Sequence, residues 1–237
     1  MRNRGRDPLD DEWVAAFFAA HGRLPDDGDR QDYLFSLIFP GRGPAGSWSD
    51  EDWGAYWASK RALWAGEAPW PAGDMPLGYD RFVYHLWRLA GHYGTDRASA
   101  AKFSRAAGLM WGGIAFEGTV FMALFRAGAG EHLPQLQEGP AGWRPEHVDD
   151  DNPAHHWVAA FVAGFAYGAL LGAAANSIRD LAQMVTGLGG TLADIRLGNA
   201  AARHGALLRR ASGASSGPGE PYVALLATME SELRDAG

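Results

Sequence analysis

Carboxylates and imidazoles crowd the segment Asp149-Asp150-Asp151-Asn152-Pro153-Ala154-His155-His156. Pro153 suits the first position of a helix, where a missing N–H costs nothing, so Asp151 or Asn152 becomes the N-cap. Asp151 and His155 are four residues apart, which brings the imidazole near the carboxylate across the first turn. A carboxylate that holds a histidine tautomer is the orienting half of many acid–base sites. The same residues also read as a helix cap with a histidine satisfied by a neighbouring acid, and that structural reading leads. A catalytic reading of the segment falls on Asp151, His155 and His156.

Glu117 is the second candidate. It stands inside GLMWGGIAFEGTVFMALF, with no other charge between Arg105 and Arg126. Burial raises a carboxylate's pKa unless something pairs with it, and raised carboxylates serve as general acids. A glycosidase-like reading follows, with a second carboxylate from Asp151 or Asp180. A buried Glu117 paired with an Arg or His from another helix is the simpler alternative and leads.

Arg179, Asp180, Asp194 and Asn199 complete a polar network. Thr191 and Asp194 have the spacing of a capping box. Were residues 153–185 one straight helix, His155 and Arg179-Asp180 would lie about 35 Å apart at about 1.5 Å per residue. They cannot then share a site unless the helix breaks, with Gly164, Gly168 and Gly172 as the places to do so. Asp151 and His155 supply two metal ligands, and Glu131, His132 or His147 a third, but no recognised zinc spacing is present. No metal and no cofactor is assigned.

The elements that must position these residues read as helices. Asp10 and Asp11 cap a helix through Trp13 and Phe17, ended by Gly22 and Pro25; Asp29–Phe39 reads as a second. Ser49 and Asp52 open a third, with Trp53, Tyr56, Trp57 and Trp64. Asp80–Tyr93 is amphipathic, and Thr95 or Asp96 caps a helix running from Ala98 towards Phe125. The spacing predicts helix again over Pro153–Val185, from Thr191, and over Val223–Leu233. No strand-like alternation persists. The chain is expected to be all-α, a bundle of seven to nine helices around an Ala/Gly-rich central hairpin. Residues 1–128 form a Trp-rich region, 129–150 a connection, 151–211 the hairpin, and 212–237 a linker with a last helix, together one compact domain. Most of the ten tryptophans fall at helical spacings, which favours core packing over a ligand platform.

The order D-N-x-x-H, a Gly/Ala-rich helix, A-N-S-I-R-D, a glycine loop and T-L-A-D-x-x-x-x-N resembles the central part of serum amyloid A. A similar order occurs in helical C-terminal modules of some bacterial polymorphic toxins. The positions that carry the resemblance are Asp151, His155, Arg179, Asp180, Asp194 and Asn199, within residues 151–205. It implies an antiparallel helical bundle with polar corners and association with lipid or apolar ligands. It implies no active site. This chain departs from the family in its long preceding region and in the more apolar run after His156.

The net charge of −7 and the balanced N-terminal arginines argue against a nucleic-acid surface. The absence of cysteine excludes disulfides. MRNRGRDPLDDEW lacks the apolar stretch of a signal peptide, so a cytoplasmic location is the default, with export by another route left open. Trp157–Ala175 is uncharged and about as long as a bilayer span, yet its small residues favour a buried helix. The expected function is a helical binding protein for an apolar ligand, a membrane or a partner helix, with self-association left open. The alternatives are a hydrolase or toxin-like effector using Asp151, His155 and Glu117, and a pore-former using the Trp157–Ala175 run.

Overall fold

Helix caps written into the sequence set the elements. The computed structural model describes residues 9–38, 78–114, 139–186, 191–214 and 220–235. Helix α1 (Asp11–His21) starts where the Asp10 side chain accepts the Trp13 N–H, and ends at Gly22 in the left-handed region. Helix α2 (Asp27–Ile38) opens on a reciprocal pair, Asp29 N–H to Asp26 Oδ1 at 3.0 Å and Asp26 N–H to Asp29 Oδ2 at 2.9 Å. Helix α3 (Tyr79–Ala90) and helix α4 (Arg97–Gly112) follow, α4 capped by Asp96 through the Ala98 and Ser99 N–H groups. Where the periodicity carries this helix on towards Phe125, it stops at Gly112. Gly113 takes φ +57°, a conformation that glycine adopts freely, and turns the chain out of the helix. The predicted helices after Ser49 and up to Phe125 lie outside the described residues.

Four helices form the second half: α5 (Pro153–Tyr167), α6 (Ala169–Thr186), α7 (Leu192–Ala214) and α8 (Glu220–Leu233). The single helix expected over 153–185 is therefore two. Gly168, at φ 91° and ψ 166°, breaks it, because no L side chain tolerates that conformation at modest cost. The chain reverses there, and Gly172 of α6 seats against Gly164 and Ala163 of α5. The starts of α5 and α7 meet through His156 and Asp194, while Arg209 donates to the Phe165 and Ala166 carbonyls at the end of α5. So α5 and α7 run in the same direction, and α6 returns antiparallel along both. Among the described residues the fold is all-α, a multi-helix bundle, its one β pairing the isolated bridge between Trp143 and Arg234.

The core has two kinds of packing. One is aromatic: Phe82 of α3 meets Trp111, Trp143 and Trp157 at centroid distances of 5.4, 5.6 and 5.4 Å. Such pairs add about 0.5–1.5 kcal/mol each beyond their buried area. Trp143 anchors residues 139–148, part of the stretch read as a loop, and Arg144 N–H donates to the Leu233 carbonyl at 2.8 Å. The expected linker is also shorter, since α7 continues through a buried Ser212.

The other kind is backbone against backbone. A Cβ on Gly164 would run into the Ala202 carbonyl oxygen, and one on Gly205 into that of Phe161. At this crossing the backbones of α5 and α7 are in contact, and α5 is buried along Trp157–Phe165. Gly205→Ala is expected to cost at least about 2 kcal/mol, the range of overpacked cores or beyond it. Gly213→Ala, where an added Cβ meets nothing within 4 Å, should stabilise α7 by about 0.5–1 kcal/mol. Urea midpoints of the two variants, moving in opposite directions from the parent, check this.

Candidate functional site

The junction between the starts of α5 and α7 holds a histidine between two carboxylates. His156 Nε2 lies 2.8 Å from Asp150 Oδ2, and its Nδ1 lies 3.4 Å from Asp194 Oδ1. Each carboxylate is fixed by backbone through its other oxygen. Asp150 Oδ1 accepts the Asn152 N–H at 2.8 Å, and Asp194 Oδ2 accepts the Thr191 N–H at 3.1 Å. Asp194 N–H in turn donates to Thr191 Oγ1 at 3.2 Å, so the capping box expected from the sequence forms and also aims Asp194 at His156. Asp194 is 5% exposed, whereas Asp150 stands at the surface. The contact with His156, foremost, holds the Asp150 carboxyl below its usual pKa, against the opposing effect of burial.

The expected pairing of Asp151 with His155 is replaced by that of Asp150 with His156. Asn152 is the N-cap but has ψ 55° and makes no side-chain cap bond, so Asp151 precedes the helical register on which the four-residue rule depends. Asp151 is exposed. His155 turns the other way, its Nδ1 3.1 Å from the Trp111 carbonyl in the last turn of α4. There it meets one of the carbonyls that a helix end leaves without an intrahelical partner. The two rings stand edge to face, centroids 5.5 Å apart. Asn199 Oδ1 accepts from Ser177 Oγ at 3.3 Å, linking α7 to α6 rather than to the histidines. Glu117, Glu131 and His132 lie outside the described residues. Arg179 and Asp180 fall on α6, which turns back at Gly168, so the 35 Å separation of a straight helix does not apply.

A second polar cluster had no signal in the sequence. His204 is 0% exposed, with Nδ1 3.1 Å from the Trp157 indole N–H and Nε2 3.4 Å from Glu232 Oε2. An indole N–H only donates, so the ring nitrogen it meets is the acceptor and the imidazole proton resides on Nε2, facing Glu232. Arg203 holds the same Glu232 oxygen at 2.8 Å. Burial, foremost, pushes the His204 pKa down, and Glu232 raises it only in part. His204 first and Arg203 next lower the Glu232 carboxyl to about 2, against its desolvation. Trp157 and His204 are 47 residues apart, and no local pattern links them.

No family model, no curated protein and no solved structure matches the chain. What the junction can do chemically follows from its own donors. An imidazole held by carboxylates can accept and return a proton. The ligand-capable atoms of Asp150, His156 and Asp194 lie within 4.8 Å of one another, close enough to surround one cation. This trio differs from the Asp151–His155 pair and the loop ligands expected from the sequence.

The Glu232 arrangement fixes a pH dependence. A carboxyl lowered on folding from 4.5 to about 2 stabilises the native state above pH 4.5, and that contribution is lost as pH falls towards 2. Glu232→Gln should flatten the fall in unfolding free energy over that window while leaving other carboxylates to act. Urea titrations at pH 5, 4 and 3 check it; parallel curves for the two proteins would refute the assignment.

Proposed function

We propose that the protein is a helical binding module that receives a partner helix along the outer face of α6. The observation that carries this is a seam of exposed apolar side chains. Leu171, Ala174, Ile178 and Leu181 are all exposed, at steps of three, four and three residues, with Leu170 beside them. Leu170 is 83% exposed, Ile178 67%, Leu171 62% and Leu181 50%. That spacing is the one by which one helix receives another, knob into hole, along a narrow stripe. Contiguous apolar stripes on a surface mark interaction sites.

Two observations favour a helix over a bilayer as occupant. The chain's net charge of −7 opposes approach to an anionic lipid surface. No described helix is long and apolar enough to cross a membrane, and the Trp157–Ala175 run is divided at Gly168 into a buried part and an exposed one. Titration with a synthetic amphipathic helix bearing leucines at a and d positions tests the reading, with fatty acid and phosphatidylcholine vesicles in parallel. Micromolar peptide binding or concentration-dependent self-association is expected, and should vanish in Leu171→Asp/Ile178→Asp with the far-UV spectrum unchanged. Binding of fatty acid or vesicles alone would transfer the face to an apolar ligand or lipid. No binding in any arm, with no self-association, would remove it.

The histidine junction favours a second reading, hydrolysis with His156 as base, Asp194 orienting it through Nδ1 and Nε2, which now meets Asp150, taking the proton from the nucleophile. It predicts turnover of chromogenic ester, phosphoester or glycoside substrates that His156→Ala abolishes and His155→Ala retains. A wild-type protein inert to all three classes would leave the junction a structural staple.

A further inference from the structure

We infer that Asp150, His156 and Asp194 form a binding site for one divalent transition-metal ion of the zinc type, which fastens the start of α5 to the start of α7. The inference does not rest on the α6 face. Relative to the hydrolytic reading, it makes His156 a ligand instead of a base. Imidazole nitrogen and carboxylate oxygen are donors that zinc takes readily. Two carboxylates balance the two charges of the ion, and the imidazole binds neutral.

The spacing of His156 and Asp194 fits two ligands sharing one ion. With bonds of about 2.0–2.1 Å, two donors on a tetrahedral ion stand about 3.3 Å apart. His156 Nδ1 and Asp194 Oδ1 are 3.4 Å apart, too long for the charge-assisted hydrogen bond of about 2.7–2.9 Å that an imidazolium and a carboxylate would make. The third donor, on Asp150, falls within the same 4.8 Å set. Asp150 belongs to the exposed turn before α5; its carboxylate stands 2.8 Å from the other ring nitrogen, Nε2, and has to leave that contact to join Nδ1 and Asp194 on one ion. Asp194 is the fixed member, buried and held by its capping box.

The outer contacts serve a metal as well. The Thr191 N–H group holds the distal oxygen of Asp194 and leaves the other for the ion. Such outer-shell bonds orient ligating carboxylates. Asp149 and Asp151 flank the trio and add negative potential that draws a cation to it. Asp150 keeps one side of the trio open to water, which supplies the remaining coordination.

The test uses the full chain, stripped with a chelator and titrated with Zn2+ against a chromophoric competitor, with thermal unfolding followed in parallel. One ion per chain and a rise in Tm are expected. Asp150→Asn and His156→Gln should each weaken binding more than about 100-fold, beyond the cost of losing an outer-shell group. His155→Gln should stay within about threefold of the parent, since its ring faces the Trp111 carbonyl. Asp150 is a surface residue, so its variant folds and keeps the test decisive if His156→Gln does not fold. The chain has eight histidines, and binding that survives Asp150→Asn and His156→Gln would place the ion elsewhere and overturn the assignment. Absence of stoichiometric binding to the parent would overturn it equally.

Discussion

Everything in the second half of the chain depends on the approach of α5 to α7. At Gly164, Ala202 and Gly205 the two backbones touch without side chains between them. Helices that close gain dispersion contacts along their length, and any methyl group at the crossing separates them. The crossing also fixes the relative height of the two helix starts. His156 and Asp194 meet because α5 and α7 run in the same direction from a common level, and Arg209 meets the carbonyls of Phe165 and Ala166 at the other end for the same reason. The histidine junction is thus a product of glycine positions eight or more residues away.

Charge is handled differently at the two polar clusters. At the α5–α7 junction the carboxylates of Asp150 and Asp194 are fixed by backbone N–H groups, and the histidine comes to them. In the interior the order is reversed: Trp157 fixes His204, and Glu232 comes to the imidazole from α8. The first cluster faces water on the Asp150 side. In the second only the imidazole is enclosed, while Glu232 and Arg203 reach the surface.

Much of this architecture was legible in the residues. Asp10, Asp96 and the Thr191–Asp194 pair cap the helices they were expected to cap, because a cap is a local bond between neighbours in sequence. The tryptophans at helical spacing Trp87, Trp111 and Trp157 pack in the core, and Trp143 joins them from the stretch read as a loop. The histidine pairing was not legible. Adjacent residues on a helix point about 100° apart, and which of them meets an acid depends on where α4 lies, since the Trp111 carbonyl claims His155. Nor could periodicity place the end of α4 at Gly112 or distinguish α5 from α6. Both helices carry small and apolar residues, and only the bundle decides that one is enclosed while the other shows Leu170, Leu171 and Ile178 to water.

That outward face of α6 sits on a chain of net charge −7, and the two features act on each other at a distance. Copies repel through their like charge, over a range of about 30 Å at 0.01 M salt and about 3 Å at 1 M. In dilute buffer the repulsion keeps the leucines of one copy from reaching those of the next. In concentrated salt that long-range barrier collapses, while the attraction between apolar surfaces persists or grows. Ionic strength therefore bears on the colloidal behaviour of this protein through the same exposed apolar residues of α6.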